Sequence, residues 1–243
     1  MKSGRLLRGL MLLPYQLYVI VGFLLLMVFW GVASCLASLF DAGGNRPHRC
    51  LTYWAKSNLA MAGLRVQVEG VERLDPQAAY IFMPNHASFL DILLAFACIP
   101  HNFRIVTKEE MFFIPVMGWA LKRSRQLPMD RTHPRRGLAR LRQASALLKE
   151  GISIVVFPEG TRTANGEIGD FKATLFILPI RAAIPVVPLR VAGTFEALKR
   201  GSILLNPVPL KLTFYDPIPP GSYNDRDRWI YAKKVREVLL SSP

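Results

Sequence analysis

Cysteine is scarce in this sequence, and its spacing forms no framework. The three cysteines, Cys35, Cys50 and Cys98, are odd in number and far apart. Disulfide-stapled and zinc-binding domains need cysteines paired at short spacings, so both classes are excluded and a reducing compartment is favoured. The sequence also lacks internal repeats and low-complexity tracts. The motifs described below require no metal ion and no bound cofactor.

Acidic residues are also few, 17 against 31 lysines and arginines, which gives a net charge of +14. Eight basic residues but one acid, Asp130, lie between Lys122 and Arg142. Near an anionic leaflet each basic residue contributes on the order of 1 kcal/mol of attraction. A nucleic-acid-binding protein is the other interpretation of a basic chain, but no recognition motif supports it. We therefore expect anionic membrane lipids as partners and no nucleic acid.

Charge is absent from one long stretch, Gly9 to Phe40, which follows Lys2, Arg5 and Arg8 and ends at Asp41. It is too long for a signal peptide, so a retained membrane anchor over residues 1–45 is expected. As a helix it would measure about 48 Å against a hydrocarbon core of about 30 Å, and two full spans would need about 40 residues.

The stretch is therefore either a single span or a re-entrant hairpin broken near Pro14, Gly22 or Gly31. The positive-inside rule keeps the basic N-terminus in the cytoplasm. A hairpin or interfacial insertion then leaves residues 46–243 on the cytoplasmic face, which in a bacterium is that of the inner membrane. We favour that geometry.

The segment Asn85-His86-Ala87-Ser88-Phe89-Leu90-Asp91 contains a candidate general base. On a regular helix His86 and Asp91 would lie roughly 140° apart and could not meet. Ser88 as N-cap and Asp91 at the third helical position would instead leave His86 in the preceding loop, within reach of the carboxylate. A carboxylate on one ring nitrogen leaves the other free to take a proton. A capping aspartate beside an ordinary loop histidine is the alternative.

A second segment, Phe157-Pro158-Glu159-Gly160-Thr161-Arg162, follows the β-branched run Ile152–Phe157, which is typical of a buried strand. Ligands bind at the carboxyl ends of strands in α/β folds. Arg162 offers a fork of donors suited to phosphate, Gly160 permits a tight turn, and Glu159 could orient an arginine or a substrate hydroxyl. As an alternative, the same residues simply form a good turn.

Strand and helix patterns alternate along the rest of the chain, which predicts an α/β fold: one domain with a mixed sheet flanked by helices. An amphipathic helix is predicted over Arg46–Gly63, and the strand region Leu204–Phe214 is expected at a sheet edge because Pro207 and Pro209 interrupt it. The expected strands are 64–71, 80–83, 103–106, 152–157 and 184–190, and the expected helices are 116–123, 134–150, 171–182 and 223–240.

The chain resembles the membrane glycerolipid acyltransferases, in particular the 1-acylglycerol-3-phosphate O-acyltransferases (lysophosphatidic acid acyltransferases). The resemblance covers roughly residues 50–220 and rests on four blocks in order. They are Asn85–Asp91, Lys108–Trp119 leading to Met129-Asp130-Arg131, Phe157–Arg162, and Ile184–Leu189.

The resemblance implies acyl transfer from a thioester of coenzyme A or acyl carrier protein to the free hydroxyl of lysophosphatidic acid, which makes phosphatidic acid. His86 would be the base and Asp91 would orient it. Arg162 and Arg131, with Glu159, Gly160 and Thr161, would form the phosphate site. Lys108, Lys172 and Pro188 would belong to an acyl or donor pocket.

Two departures from the family pattern leave the acceptor open. Lys172 is followed by Ala173-Thr174 where glycine is common, and Arg125–Pro128 replaces a small residue and bulky apolar ones. A different lysolipid or glycerol 3-phosphate is therefore an alternative acceptor.

A covalent acyl-Ser88 route is disfavoured because Gly-x-Ser-x-Gly is absent. A non-enzymatic basic membrane adaptor is the second alternative, although it would not need His86, Asp91, Glu159 and Arg162.

Several bulky residues near these blocks could line an acyl tunnel, but core packing is favoured for most of them. They are Phe89, Phe96, Met111, Phe112, Phe113 and Trp119.

Overall fold

A single mixed sheet with helices on both faces forms the centre of the molecule. The computed structural model describes residues 2–129, 134–221 and 223–241. The strands are β1 (Val66–Glu69), β2 (Ile81–Pro84), β3 (Phe103–Lys108), β4 (Leu127–Met129), β5 (Ser153–Val155), β6 (Val186–Ala192) and β7 (Leu210–Phe214). Their order is β1-β7-β6-β2-β5-β3-β4, and every pair is parallel except β6 with β7. The predicted α/β class with a mixed sheet is confirmed.

Eight α-helices are assigned within the described residues. They are α1 (Lys2–Ala37), α2 (Asn45–Met61), α3 (Leu90–Cys98), α4 (Met117–Arg123), α5 (Pro134–Lys149), α6 (Ile177–Ala182), α7 (Thr194–Ala197) and α8 (Arg228–Leu240). Short 3₁₀ turns cover Ser38–Phe40, Val71–Arg73, Glu109–Phe113 and Ala173–Phe176.

Alternation along the strands divides the core into two layers, because successive side chains point to opposite faces of a sheet. Phe82 packs with residues of α2 and α3, such as Trp54 and Phe96, in one layer. Ile81 packs with residues of α5 and α8, such as Leu147 and Val235, in the other. Helix α1 is held against the first layer.

The apolar N-terminal stretch forms one continuous helix, α1, that passes through Pro14, Gly22 and Gly31. The predicted break at one of these residues is wrong. The chain turns only after Ala37, where Asp41 accepts hydrogen bonds from the amides of Gly43 (2.9 Å) and Arg46 (2.6 Å). The hairpin is therefore made by α1 and the amphipathic α2. Leu13–Phe40 is long and apolar enough to cross a membrane, and much of its apolar surface is exposed, which is consistent with membrane association.

The strand expected at a sheet edge is internal. β7 pairs with β1 on one side and β6 on the other, so that prediction is wrong. Pro207 and Pro209 precede the strand, which begins at Leu210, and therefore remove no hydrogen bond from its ladder. The edges are β1 and β4, and β4 was not predicted.

Candidate active site

Two neighbouring strands bring the two motifs together. β2 pairs with β5 in parallel, so their carboxyl ends lie at the same edge of the sheet. His86 follows β2, and the Phe157–Arg162 segment follows β5. The spatial proximity of segments about seventy residues apart is thus a consequence of strand order.

His86 and Asp91 form a hydrogen-bonded pair at this edge. The imidazole Nδ1 lies 2.8 Å from Asp91 Oδ2, and the Asp91 side chain is fully buried. The same oxygen accepts the amides of Ala87 (2.6 Å) and Ser88 (2.8 Å), which fixes the carboxylate in place. Nε2 of His86 has no hydrogen-bond partner among the described residues. Nδ1 therefore faces the carboxylate, and Nε2 is free to accept a proton.

Helix α3 begins at Leu90, slightly later than predicted, but the capping interactions involve the expected residues. The amide of Leu90 donates to the Ser88 hydroxyl (3.3 Å), and Asp91 accepts the Ser88 amide. The Ser88 hydroxyl in turn donates to the carbonyl of Leu198 (2.7 Å). Ser88 is completely buried, so its oxygen has a structural role and is not placed to act as a nucleophile.

The two motif loops are joined at His86. The amide of His86 donates to Glu159 Oε1 (2.7 Å), and its carbonyl accepts the amide of Thr163 (2.9 Å). The imidazole also stacks on the ring of Phe157, with centroids 4.0 Å apart. Backbone and ring of His86 are thus both held by the second segment.

Glu159 links two loops by accepting backbone amides, and no arginine among the described residues donates to its carboxylate. Its second oxygen, Oε2, accepts the amide of Gly169 (3.0 Å), so both oxygens are occupied by backbone donors. The side chain is buried, and this burial raises the pKa of Glu159, although the amides of His86 and Gly169 act in the opposite direction. The orientation of an arginine or a substrate hydroxyl by Glu159 stays a prediction, and the contacts of Glu159 with the described residues are those to the two backbone amides.

Gly160 makes the turn that the sequence predicts, with φ of +71°. A Cβ atom here would lie 2.8 Å from Cε and Nζ of Lys172, so the lysine packs directly over the glycine. The amide of Lys172 donates to the carbonyl of Pro158 (2.9 Å). Thr161 is exposed and Arg162 half-buried on the same loop. Arg131, the other expected phosphate ligand, lies outside the described residues.

Asn85 has a structural role that the sequence motif did not predict. Its amide group donates to the carbonyl of Val191 (3.0 Å), and its carbonyl accepts the amide of Val191 (2.7 Å). The side chain thereby continues the β2–β6 ladder past the end of β2 and fixes the direction in which the chain enters the His86 loop.

An apolar pocket lies beside this loop, between α1, α2, α3 and α4. Its cavity volume is about 50 Å³, and the pocket is partly open to solvent. Phe89, Phe96 and Met111 of the tunnel candidates line it, together with Trp30 and Gly31 of α1. Phe112 is buried, whereas Phe113 and Trp119 are 74% and 54% exposed, so those two belong neither to the core nor to the pocket lining.

Lys108, Lys172 and Pro188 do not line this pocket. Lys108 is exposed at the end of β3, and Pro188 is buried within β6, paired with Met83 of β2. The side chains that the structure describes include no cluster of three or more His, Cys, Asp or Glu that could hold a metal ion.

Fold and site together define an α/β protein with an apolar N-terminal helix and a histidine–aspartate pair suited to proton abstraction beside an apolar pocket. A family model described as Acyltransferase matches residues 65–192. This range contains both motifs. The chain belongs to this acyltransferase family.

Several relatives of the chain are 1-acyl-sn-glycerol-3-phosphate acyltransferases. A chloroplast 1-acyl-sn-glycerol-3-phosphate acyltransferase of Arabidopsis thaliana is 32% identical over 79% of this chain and 54% of its own length. A 1-acyl-sn-glycerol-3-phosphate acyltransferase of Pseudomonas aeruginosa is 31% identical over 53% of this chain and 50% of its own. The chain thus spans about half the length of these curated relatives.

A solved structure resembles the whole chain. The crystal structure of the 1-acyl-sn-glycerophosphate (LPA) acyltransferase PlsC from Thermotoga maritima superposes with a TM-score of 0.81 at 25% sequence identity. The match covers 97% of this chain and 94% of that one. The similarity therefore includes the N-terminal helix as well as the sheet.

Proposed function

We propose that this protein transfers an acyl chain from a thioester to the free hydroxyl of lysophosphatidic acid and so makes phosphatidic acid. The observation that carries the proposal is the 2.8 Å contact between His86 Nδ1 and buried Asp91, with Nε2 unpartnered among the described residues. The acceptor named for the relatives supports this choice.

In the proposed reaction, His86 Nε2 takes the proton of the acceptor hydroxyl as its oxygen attacks the thioester carbonyl. The new C–O bond forms, the C–S bond breaks, and the proton passes from His86 to the leaving thiolate. Asp91 stabilises the imidazolium, and the face of Phe157 adds a favourable cation–π contact. General base catalysis of this kind contributes roughly 10²–10⁴ in rate.

The acceptor phosphate is proposed to bind at the Gly160–Arg162 turn. Lys172 lies over Gly160, so the cationic side chains of Arg162 and Lys172 both belong to this site. Arg131 is proposed as a third cationic ligand. A guanidinium binds phosphate oxygens in a bidentate manner, which fixes the position of the acceptor hydroxyl relative to His86. Glu159 contributes by holding the loop.

The apolar pocket is proposed to receive an acyl chain. Its lining includes Phe89, which lies three residues beyond His86, so a chain in the pocket would have its carboxyl end near the base. The donor is proposed to be a thioester of coenzyme A or acyl carrier protein, and the basic surface suits the phosphates of the first or the acidic surface of the second.

The protein is proposed to lie on the cytoplasmic face of its membrane, with α1 inserted beside the catalytic domain. Hydrogen bonds tie α1 to the domain along much of its length: Tyr15 to the Ala62 carbonyl (2.8 Å), Trp30 to Ser57 (3.3 Å) and Ser34 to the Pro47 carbonyl (3.4 Å). A helix held in this way from residue 15 to 34 is not surrounded by lipid as a free span would be. Anionic lipids would hold the basic surface.

The test is a transfer assay on the full chain in detergent. Labelled acyl groups are offered from both thioester donors to lysophosphatidic acid, glycerol 3-phosphate and phosphate-free lysolipids. We expect transfer to lysophosphatidic acid and a loss of roughly 10²-fold or more in His86→Ala, with His101→Ala as the control histidine. Activity that survives in His86→Ala would refute the mechanism, and transfer only to another acceptor would refute the substrate.

A further inference from the structure

The loop between α7 and β7 lies between the catalytic motif and the membrane helix. The amide of Asn206 donates to the carbonyl of Ala197 (2.8 Å) and closes the loop at its base. Before the tip, the carbonyl of Leu198 accepts the hydroxyl of Ser88 from the catalytic motif. After it, Leu205 exchanges two hydrogen bonds with the side chain of Gln16 on α1 (2.7 and 2.8 Å).

The first half of this loop is cationic and reaches the proposed phosphate turn. Arg200 donates from its guanidinium to the carbonyl of Arg162 at 3.2 Å. This is its one hydrogen bond among the described residues, and no carboxylate there forms a salt bridge with it. Four of its five N–H donors therefore remain available for an anion. Lys199 is exposed beside it, over the ring of Phe195.

The second half of the loop is apolar and exposed. Ile203 and Leu204 are 72% and 61% exposed, although the tip is ordered by hydrogen bonds from the Ser202 amide to Lys199 and from the Leu204 amide to Ser202 Oγ. Leu205 attaches this apolar pair to α1 at Gln16, where Leu13 and Leu17 are also exposed. The pair thus continues the apolar surface of the membrane helix.

We propose that Lys199–Leu204 is the segment that takes the acceptor from the leaflet: Arg200 binds the phosphate of a single-chain anionic lipid while Ile203 and Leu204 sit in the lipid. An amphiphile with a charged head and an apolar tail would contact both halves of the loop. This inference rests on the proposed function, to which it adds a phosphate ligand outside the recognised motifs.

The first test measures kinetics of Arg200→Ala in mixed micelles. We expect the KM for lysophosphatidic acid to rise roughly tenfold, because a charge-assisted contact is lost. The kcat and the KM for the thioester should stay unchanged, and Arg200→Lys should restore part of the affinity. Any transfer to a phosphate-free monoacylglycerol should not respond to Arg200→Ala. Arg228→Ala is the matched control, since Arg228 also donates to a backbone carbonyl, that of Asp225.

The second test measures sedimentation of the full chain with neutral phosphatidylcholine vesicles. We expect the double variant Ile203→Ser, Leu204→Ser to bind more weakly. Trp229→Ser should bind as the unaltered chain does, because Trp229 is equally exposed but lies on α8, across the sheet from α1.

The outcomes separate the two proposals. An unaltered protein that acylates no lysophosphatidic acid refutes the proposed function. Transfer that Arg200→Ala leaves unchanged, or a rise in the KM for the thioester instead, refutes only the role of Arg200. Unchanged vesicle binding by the double variant refutes the lipid contact of the tip.

Discussion

At the scale of single residues, the position of His86, the proposed base, depends on its contacts with neighbouring side chains and amides. The His86 amide is held by Glu159, its carbonyl by the amide of Thr163, and its ring by Asp91 and Phe157. Such supporting contacts keep a catalytic side chain in one orientation before substrate binds. Their loss should therefore affect turnover more than substrate affinity.

Glu159→Gln tests this distinction. Glutamine has one acceptor oxygen, so the amide of either His86 or Gly169 loses its partner in a buried place. We expect a loss of about 1–3 kcal/mol in the free energy of unfolding, and a roughly tenfold fall in kcat with little change in the KM for lysophosphatidic acid.

Glu167→Gln on the same loop is the control, because Glu167 is exposed and its side chain bonds, among the described residues, only to Asn165. Arg162→Ala should give the opposite kinetic pattern, a raised KM. A raised KM with unchanged kcat in Glu159→Gln would instead assign Glu159 to the phosphate site.

At the scale of elements, α2 joins the membrane helix to the sheet, and it carries a buried histidine. His48 packs edge-on against Phe103, with ring centroids 4.6 Å apart, and Gln126 Nε2 lies 3.4 Å from its Nδ1. Burial lowers the pKa of His48 from 6.5 to about 3, with a further contribution from the charge of Arg104. His48 is therefore neutral wherever the protein is folded at neutral pH.

This lowered pKa predicts loss of stability in acid. Between pH 6.5 and 3 the unfolded chain binds a proton at His48 that the folded protein does not, so the free energy of unfolding falls as pH falls. The slope from this group approaches about 1.4 kcal/mol per pH unit. In urea titrations from pH 7.5 to 4.5, His48→Gln should flatten the dependence. His101→Gln is the control, and equal slopes in all three proteins would contradict the prediction.

Helix α1 passes the start of α4 at Gly31, where there is no room for a side chain. A Cβ atom there would lie 2.3 Å from Cγ1 of Val116, and Val116 already has a positive φ of 65°. At Gly22 a Cβ would meet Met61 Sδ, the flexible part of a side chain that can move away. Because Gly31 also lines the apolar pocket, overpacking here should change the shape of that pocket.

We expect Gly31→Ala to lower the free energy of unfolding by about 1–3 kcal/mol. It should also shift transfer toward shorter acyl chains. Gly22→Ala, in the same helix, should cost little because helix propensity favours alanine over glycine by about 1 kcal/mol. Unfolding in detergent and a series of donors of increasing chain length measure both effects. Identical behaviour of the two variants would contradict the proposed crowding.

At the scale of the whole molecule, α1 and the domain are one unit. Residues from Tyr15 to Ser34 bond to α2 and to the α7–β7 loop, while the opposite side of α1 exposes apolar residues such as Leu25 and Phe29. This arrangement suits insertion from one side of the bilayer. The start of α1 and the catalytic site should then lie on the same face.

Labelling in cells tests this topology. After Cys35, Cys50 and Cys98 are replaced by serine, single cysteines are introduced as Ser3→Cys and Ser202→Cys and exposed to a membrane-impermeant maleimide. We expect neither to react in intact cells and Ser3→Cys to react once the membrane is permeabilised. Reaction of Ser3→Cys alone in intact cells would show that α1 crosses the bilayer.

The sequence by itself determined what depends on nearby residues. His86 and Asp91 are five positions apart, so the loop and helix start between them suffice to predict their contact. The turn at Gly160, the alternating strands and the uncharged length of α1 are local in the same sense. The α/β class follows from these local patterns.

The tertiary structure decided everything that depends on strand order and helix docking. Glu159 braces His86 across 73 positions, Arg200 reaches Arg162 across 38, and Leu205 meets Gln16 across 189. No local pattern encodes these partners, because they are set by which strands are neighbours and by how α1 packs on the domain. For the same reason the internal place of β7 and the turn after α1 were visible only in the folded chain.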